Sequence, residues 1–214
     1  MQAFDSLSRD IQQYIYDKGW PSLTNIQSAA IKQVANTDHN LILSAPTASG
    51  KTEAAFIPAL NSVEDWETGL KVLYVSPLKA LINDQFQRIS ELSEYLDIPI
   101  TRWHGEVSQT QKRKVVNQPK GILLITPESI EGMLVNRPGE AEHLFKGVEW
   151  IIIDELHSFL GTERGIHLQS LLQRISRFMQ APRFIAMSAT LNKKDFGYAK
   201  AFFGSARHTD ILVD

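Results

Sequence analysis

Leu41 to Thr52 reads L-I-L-S-A-P-T-A-S-G-K-T, an apolar run and then a polar turn that ends on Gly50, Lys51 and Thr52. A run this apolar has no side for solvent, so it must be covered on both faces, as a strand is in a parallel sheet between layers of helices. The turn fits the phosphate-cradling pattern G-x-x-x-x-G-K-[ST], with Ala45 in place of the first glycine. Gly50 lets backbone approach a phosphate closely, Lys51 supplies a cation, and the Thr52 hydroxyl can ligate Mg²⁺. Thr47, Ala48 and Ser49 complete the cradle. A helix starting here aims its first amides at the same anion, an effect of about 0.3–2 kcal/mol. Pro58 is expected to kink or end that helix.

The pattern repeats along the chain. Apolar runs at Lys71 to Val75, Ile100 to Trp103, Ile122 to Ile125, Trp150 to Ile153 and Arg183 to Met187 alternate with stretches of helical spacing, such as Leu78, Leu81, Ile82, Phe86 and Ile89. Alternation of this kind means βαβ units and an α/β fold: a mostly parallel β-sheet with helices on both faces. Ligands in such sheets bind beyond the carboxyl ends of the strands. Polar sequence stands after each run: Ser-Pro-Leu-Lys after Val75, His-Gly-Glu after Trp103, Thr-Pro-Glu-Ser after Ile125, Asp-Glu-Leu-His after Ile153 and Ser-Ala-Thr after Met187. Ahead of the first strand, Phe4, Leu7, Ile11 and Ile15 predict a helix closed by Gly19, and Thr24 caps another through Val34. Near the end, a helix around Phe196 to Phe203 and a strand around Ile211 to Val213 are expected.

Residues Asp154 and Glu155 follow a strand with no apolar reason to end in acids. One carboxylate can hold Mg²⁺ while its neighbour orients and deprotonates an attacking water. The plainer reading, acids favoured at a helix N-terminus, loses weight beside a phosphate loop upstream.

Composition narrows the class. With 43% apolar and 21% charged residues the chain can build an ordinary globular core, and 214 residues make a single large domain the working count. A net charge of −2 argues against a generally basic coat, leaving phosphate contact to local groups. Without cysteine there is neither a disulfide framework nor a thiolate metal site. No stretch approaches the ~18 apolar residues of a spanning helix, so no membrane partner and a cytoplasmic location are expected. No second histidine stands at ligand spacing from His157, so no structural metal is expected either.

Asp154-Glu155-Leu156-His157 resembles the DExH box of superfamily-2 helicases, and Ser188-Ala189-Thr190 is similar to their third motif. Gly19 to Gln27 resembles the adenine-reading Q motif, with Trp20 for the usual Phe and Leu23 for Pro. Ser76 to Leu81 is similar to motif Ia and Thr126 to Ser129 to motif Ib; the stretch Gly161 to Leu168 together with Ser76 to Leu81 resembles the large helicase-related (Lhr) branch. The resemblance implies a RecA-like P-loop NTPase that uses ATP and Mg²⁺, with Gln27 on the adenine edge and catalytic roles for Lys51, Asp154 and Glu155. It implies backbone contact with a DNA or RNA strand through Pro77, Lys79, Gly105, Thr126, Pro127 and Ser129. His157, Ser188 and Thr190 would couple the two sites. Hydroxyls, amides and lysines grip phosphates without reading bases, which suits a motor that steps along any strand.

Such engines close a second motor domain over the ATP, and nothing after Thr190 has room for one. Residues 1–214 are therefore expected to be one RecA-like domain of a longer protein, and weak in turnover alone. The competing reading is a nucleotide-sensing module that docks or remodels a protein without unwinding. Glu155 speaks against it, because a scaffold has no chemical use for that carboxylate. A P-loop kinase of small molecules is poorly served by Thr-Pro-Glu-Ser and Ser-Ala-Thr at strand ends.

Overall fold

A computed structural model describes residues 2–46, 48–189 and 191–214. In chain order these form α1 (Arg9–Asp17), α2 (Asn25–Asn36), β1 (Asn40–Ser44), α3 (Lys51–Ser62), β2 (Gly69–Val75), α4 (Lys79–Tyr95), β3 (Ile100–Trp103), α5 (Gln109–Asn117), β4 (Lys120–Ile125), α6 (Pro127–Asn136), α7 (Pro138–Phe145), β5 (Trp150–Ile153), α8 (Glu163–Ser176), β6 (Arg183–Ser188), α9 (Phe196–Ala201) and β7 (Thr209–Val213). Among the described residues the strands make one seven-stranded sheet in the order β3-β4-β2-β5-β6-β1-β7. Every pairing is parallel.

The unbroken apolar runs are explained by two cores. Strand side chains alternate between faces. Leu41, Leu43, Val72, Tyr74, Trp150 and Ile152 join α1 to α4 on one side. Ile42, Leu73, Val75, Ile151 and Ile153 join α6 to α9 on the other. Trp103 and Trp150 are buried, and Trp20 and Trp66 pack against the first core.

Four boundaries differ from the sequence reading. Phe4 to Ile15 is not one helix: Phe4–Ser6 is a separate 3₁₀ turn, and the Ser8 hydroxyl caps a new start by accepting from Ile11 N. The apolar spacing survives the break because both pieces face the same core. Helix α3 does not end at Pro58 but runs on to Ser62. A mid-helix proline costs roughly 3 kcal/mol, and here Ala54, Ala55, Phe56, Ile57, Ala59 and Leu60, all buried around it, offset that cost. At the end, α9 stops at Ala201, and β7 begins at Thr209, pairing with Asn40 two residues before the apolar part starts. Among the described residues no helix is long and apolar enough to cross a membrane.

Candidate nucleotide and strand sites

Parallel strands put all their carboxyl ends on one rim, and the strand order divides it. The turns after β1, β5 and β6 lie side by side, and those after β3, β4 and β2 form the other half.

In the first half, the loop between β1 and α3 bends through left-handed backbone at Ala48 (φ 63°) and Gly50 (φ 82°). Left-handed backbone favours glycine at Gly50, and a methyl group there would lie 2.6 Å from Gln27 Nε2, so the Gln27 side chain would have to shift. Gln27 is buried and serves two ends. Its carbonyl oxygen accepts from Thr24 N (2.9 Å) in a capping box, and its amide donates to Gly50 O (3.4 Å), tying α2 to the loop. Lys51 folds back and donates to Ala45 O and Pro46 O, each at 2.5 Å. Burial lowers its ammonium below the ordinary lysine value, against the pull of Glu155 and Asp154. The Thr52 hydroxyl donates to Gln85 Oε1 (3.2 Å).

Asp154, 6% exposed, accepts from the Tyr74 hydroxyl beside it and from Glu155 N (2.9 Å). Burial nevertheless raises its carboxyl above the usual range, with the Tyr74 hydrogen bond opposing. Glu155 is held at φ 50°, a left-handed conformation unusual for a residue with a side chain. Its carboxylate stands 3.2 Å from His157 Nδ1. That same nitrogen lies 3.4 Å from Ser188 Oγ and accepts from Ala189 N at 3.3 Å, joining the turn after β5 to the end of β6. Lys51, Thr52, Asp154, Glu155 and His157 line one cleft of about 310 Å³ together with Ala48, Gly50, Gln85 and Arg88. A larger hollow of about 750 Å³ at the other end of the sheet carries neither a lysine nor paired acids.

The second half is more open. Lys79 pairs with Glu106, linking the turns after β2 and β3. Arg164 donates to Pro77 O and pairs with Glu128 at 2.6 Å, linking α8 to the turns after β2 and β4. Thr126 caps α6 by accepting from Ser129 N (3.3 Å), with Pro127 in the first turn. Around Gly105 an added methyl would meet nothing within 4 Å. Expected site residues Thr47 and Thr190 lie outside the described residues.

Sequence reasoning missed Tyr74, Gln85 and Arg88 in the first half, and gave Arg164 no role in the second. Tyr74 carried a signal, being the one residue of Val72 to Val75 with a polar tip. Gln85 and Arg88 carried none, because helical spacing marks the buried face of α4 and says nothing of what its polar face meets.

A family model of the DEAD/DEAH box helicases matches residues 24–196. The chain belongs to that family. Among its DEAD/DEAH box relatives, the ATP-dependent helicase Lhr-Core of Methanocaldococcus jannaschii is 30% identical over 229 residues, covering 99% of this chain and 26% of that protein. Its counterpart in Sulfolobus acidocaldarius is 36% identical over 169 residues, covering 72% of this chain and 19% of that protein. A structure of Mycobacterium smegmatis helicase Lhr bound to ssDNA and AMP-PNP superposes with a TM-score of 0.85 at 27% identity, over 100% of this chain and 28% of that one. The RecA-like helicase fold is thereby shown, these relatives are Lhr helicases, and the chain spans about a quarter of the length of the M. jannaschii relative.

Proposed function

We propose that residues 1–214 act as the first RecA-like motor domain of a superfamily-2 helicase, using ATP hydrolysis to move along or unwind DNA or RNA. The observation that carries this reading is the single cleft shared by Lys51, Thr52, Asp154 and Glu155, with His157 reaching the end of β6. In the proposed mechanism, backbone amides of Thr47 to Gly50 cradle the phosphates, and Lys51 leaves its two loop carbonyls to meet the β and γ phosphates. Gln27 reads the adenine edge. Glu155 orients water toward the γ-phosphate and accepts its proton, a role that typically contributes about 10²–10⁴-fold.

The donor chemistry fits Mg²⁺. The Thr52 hydroxyl and Asp154 carboxylate are hard oxygens on the same cleft, and Mg²⁺ takes one or two such ligands plus substrate phosphates. These two residues would hold it, and when bound it neutralises charge on the phosphate oxygens.

The other half of the rim is the strand track: Pro77, Lys79, Gly105, Thr126, Pro127 and Ser129 contact the sugar-phosphate backbone, and Ser188 and Thr190 with His157 pass nucleotide state between halves. A second motor domain in the full-length protein supplies an arginine, whose absence costs about 10³–10⁵ in turnover. The test is strand-stimulated ATP hydrolysis and duplex unwinding by the full-length protein and its Lys51→Ala variant. Both activities are expected in the first and neither in the second. Nucleotide binding without hydrolysis or unwinding by the full-length protein would sink the proposal.

A further inference from the structure

At the end of the sheet away from the rim, two histidines and an aspartate meet where β1 and β7 begin. Parallel pairing sets Asn40 beside Thr209 and Leu41 beside Asp210, which brings His39 to a residue 171 positions away. His39 Nδ1 lies 2.7 Å from Asp210 Oδ2, and His208 Nε2 lies 3.1 Å from Asp210 Oδ1. The imidazole ring centroids are 4.7 Å apart. One nitrogen from each ring and a carboxylate oxygen all fall within 4.8 Å of one another.

We propose that His39, His208 and Asp210 form a divalent transition-metal site, best matched to zinc, that clips the edge strand β7 to the start of β1. Two imidazoles and a carboxylate are too rich in nitrogen for Mg²⁺ or Ca²⁺, and suit Zn²⁺ in a tetrahedral site with a fourth position left for water. Bonds of about 2.0–2.2 Å set tetrahedral donors roughly 3.3–3.5 Å apart, so closing on an ion takes side-chain rotations on the order of an ångström. His208, 59% exposed, is free to make them. The rest is held in place. Gln33 on α2 donates to Asp210 Oδ2 at 2.6 Å, the kind of outer hydrogen bond that orients a ligating carboxylate. Arg183 fixes the backbone of His39 through its carbonyl oxygen (3.0 Å). The nearby cations are engaged, Arg207 by Asp38 and Arg183 over the Trp150 ring. This inference departs from the expectation of no structural metal, which looked for ligands close together in sequence.

The experiment is calorimetric titration of zinc chloride into metal-stripped protein, with magnesium in excess so that oxygen donors at the rim are occupied. Wild type, His208→Ala, His39→Ala and His157→Ala are compared, and His208 is exposed enough for its variant to fold. One equivalent bound by wild type and His157→Ala, with affinity lower by at least about tenfold in the other two, supports the site. Cobalt(II) gives a second reading: visible absorption of a four-coordinate centre, present in wild type and absent in His208→Ala. Equal zinc affinity in wild type and His208→Ala, loss in His157→Ala alone, or no binding at millimolar zinc overturns it.

Discussion

The two halves of the rim carry the same kinds of residue and hold them in different ways. Above β1, β5 and β6 several polar groups are buried or half-buried and bonded to neighbours: Asp154 to Tyr74, Thr52 to Gln85, Lys51 to two carbonyls. Above β2, β4 and β3 the charged groups stand in surface ion pairs, Lys79 and Glu106 with side chains 60% and 64% exposed. Such solvent-screened pairs contribute little to stability and are easily exchanged for other charges. Protonation is shifted by different causes in the two halves. Asp154 is raised and Lys51 lowered, both chiefly by burial, while Glu106 is lowered by its hydrogen bond and charge pairing with Lys79. Under the proposed function, the first environment suits the half assigned the hydrolysis chemistry, and the second suits a half that grips and releases a strand.

That contrast breaks most sharply at Glu155. Replacing Glu155 by Gln should lower ATP turnover of the full-length protein by about 10²–10⁴-fold while nucleotide affinity and strand affinity stay near wild type, as read by steady-state hydrolysis beside binding titrations. Equal losses in all three would mean the halves are not separable. Next in size is Gly50→Ala. Left-handed backbone with a side chain costs about 1–2 kcal/mol, and the new methyl also meets Gln27. Nucleotide affinity should fall by about tenfold, the equivalent of 1.4 kcal/mol, with strand affinity unchanged.

Lys79→Ala probes the other half. Strand binding should weaken modestly and alike for every sequence, and the slope of log affinity against log salt should shrink by about 1. Nucleotide affinity should not move. The smallest effect is expected from Asp154→Asn, read as thermal midpoint against pH without nucleotide. The folded carboxyl titrates above its unfolded value, so wild type gains stability as pH falls through that raised value, the gain being complete below the unfolded one. The Asn variant should lack that gain and be the more stable protein at pH 7. A lower midpoint at pH 7 would show that the Tyr74 hydrogen bond outweighs the burial penalty.

Much of this was legible beforehand because the information is local. Most apolar runs mark strands covered on both faces, the half-exposed edge strand β3 excepted, and the residues just after each lie on the common rim. The Q-like stretch read as a capped helix and is one, since a capping box involves four consecutive residues. Boundaries failed where a local signal competed with packing: Pro58 says stop, and the buried surface around it carries α3 onward.

Sequence by itself therefore determined the layers, the rim and the order of motifs along it, through periodicity and turn chemistry that span a few residues. Only the tertiary structure decided that Tyr74 meets Asp154 across 80 positions, that Arg164 joins the turns after β2 and β4, and that His39 and His208 share Asp210. Each of these contacts depends on strand order, register and the seating of a helix on the sheet. Those follow from the packing of the whole core, and no short stretch of chain encodes them.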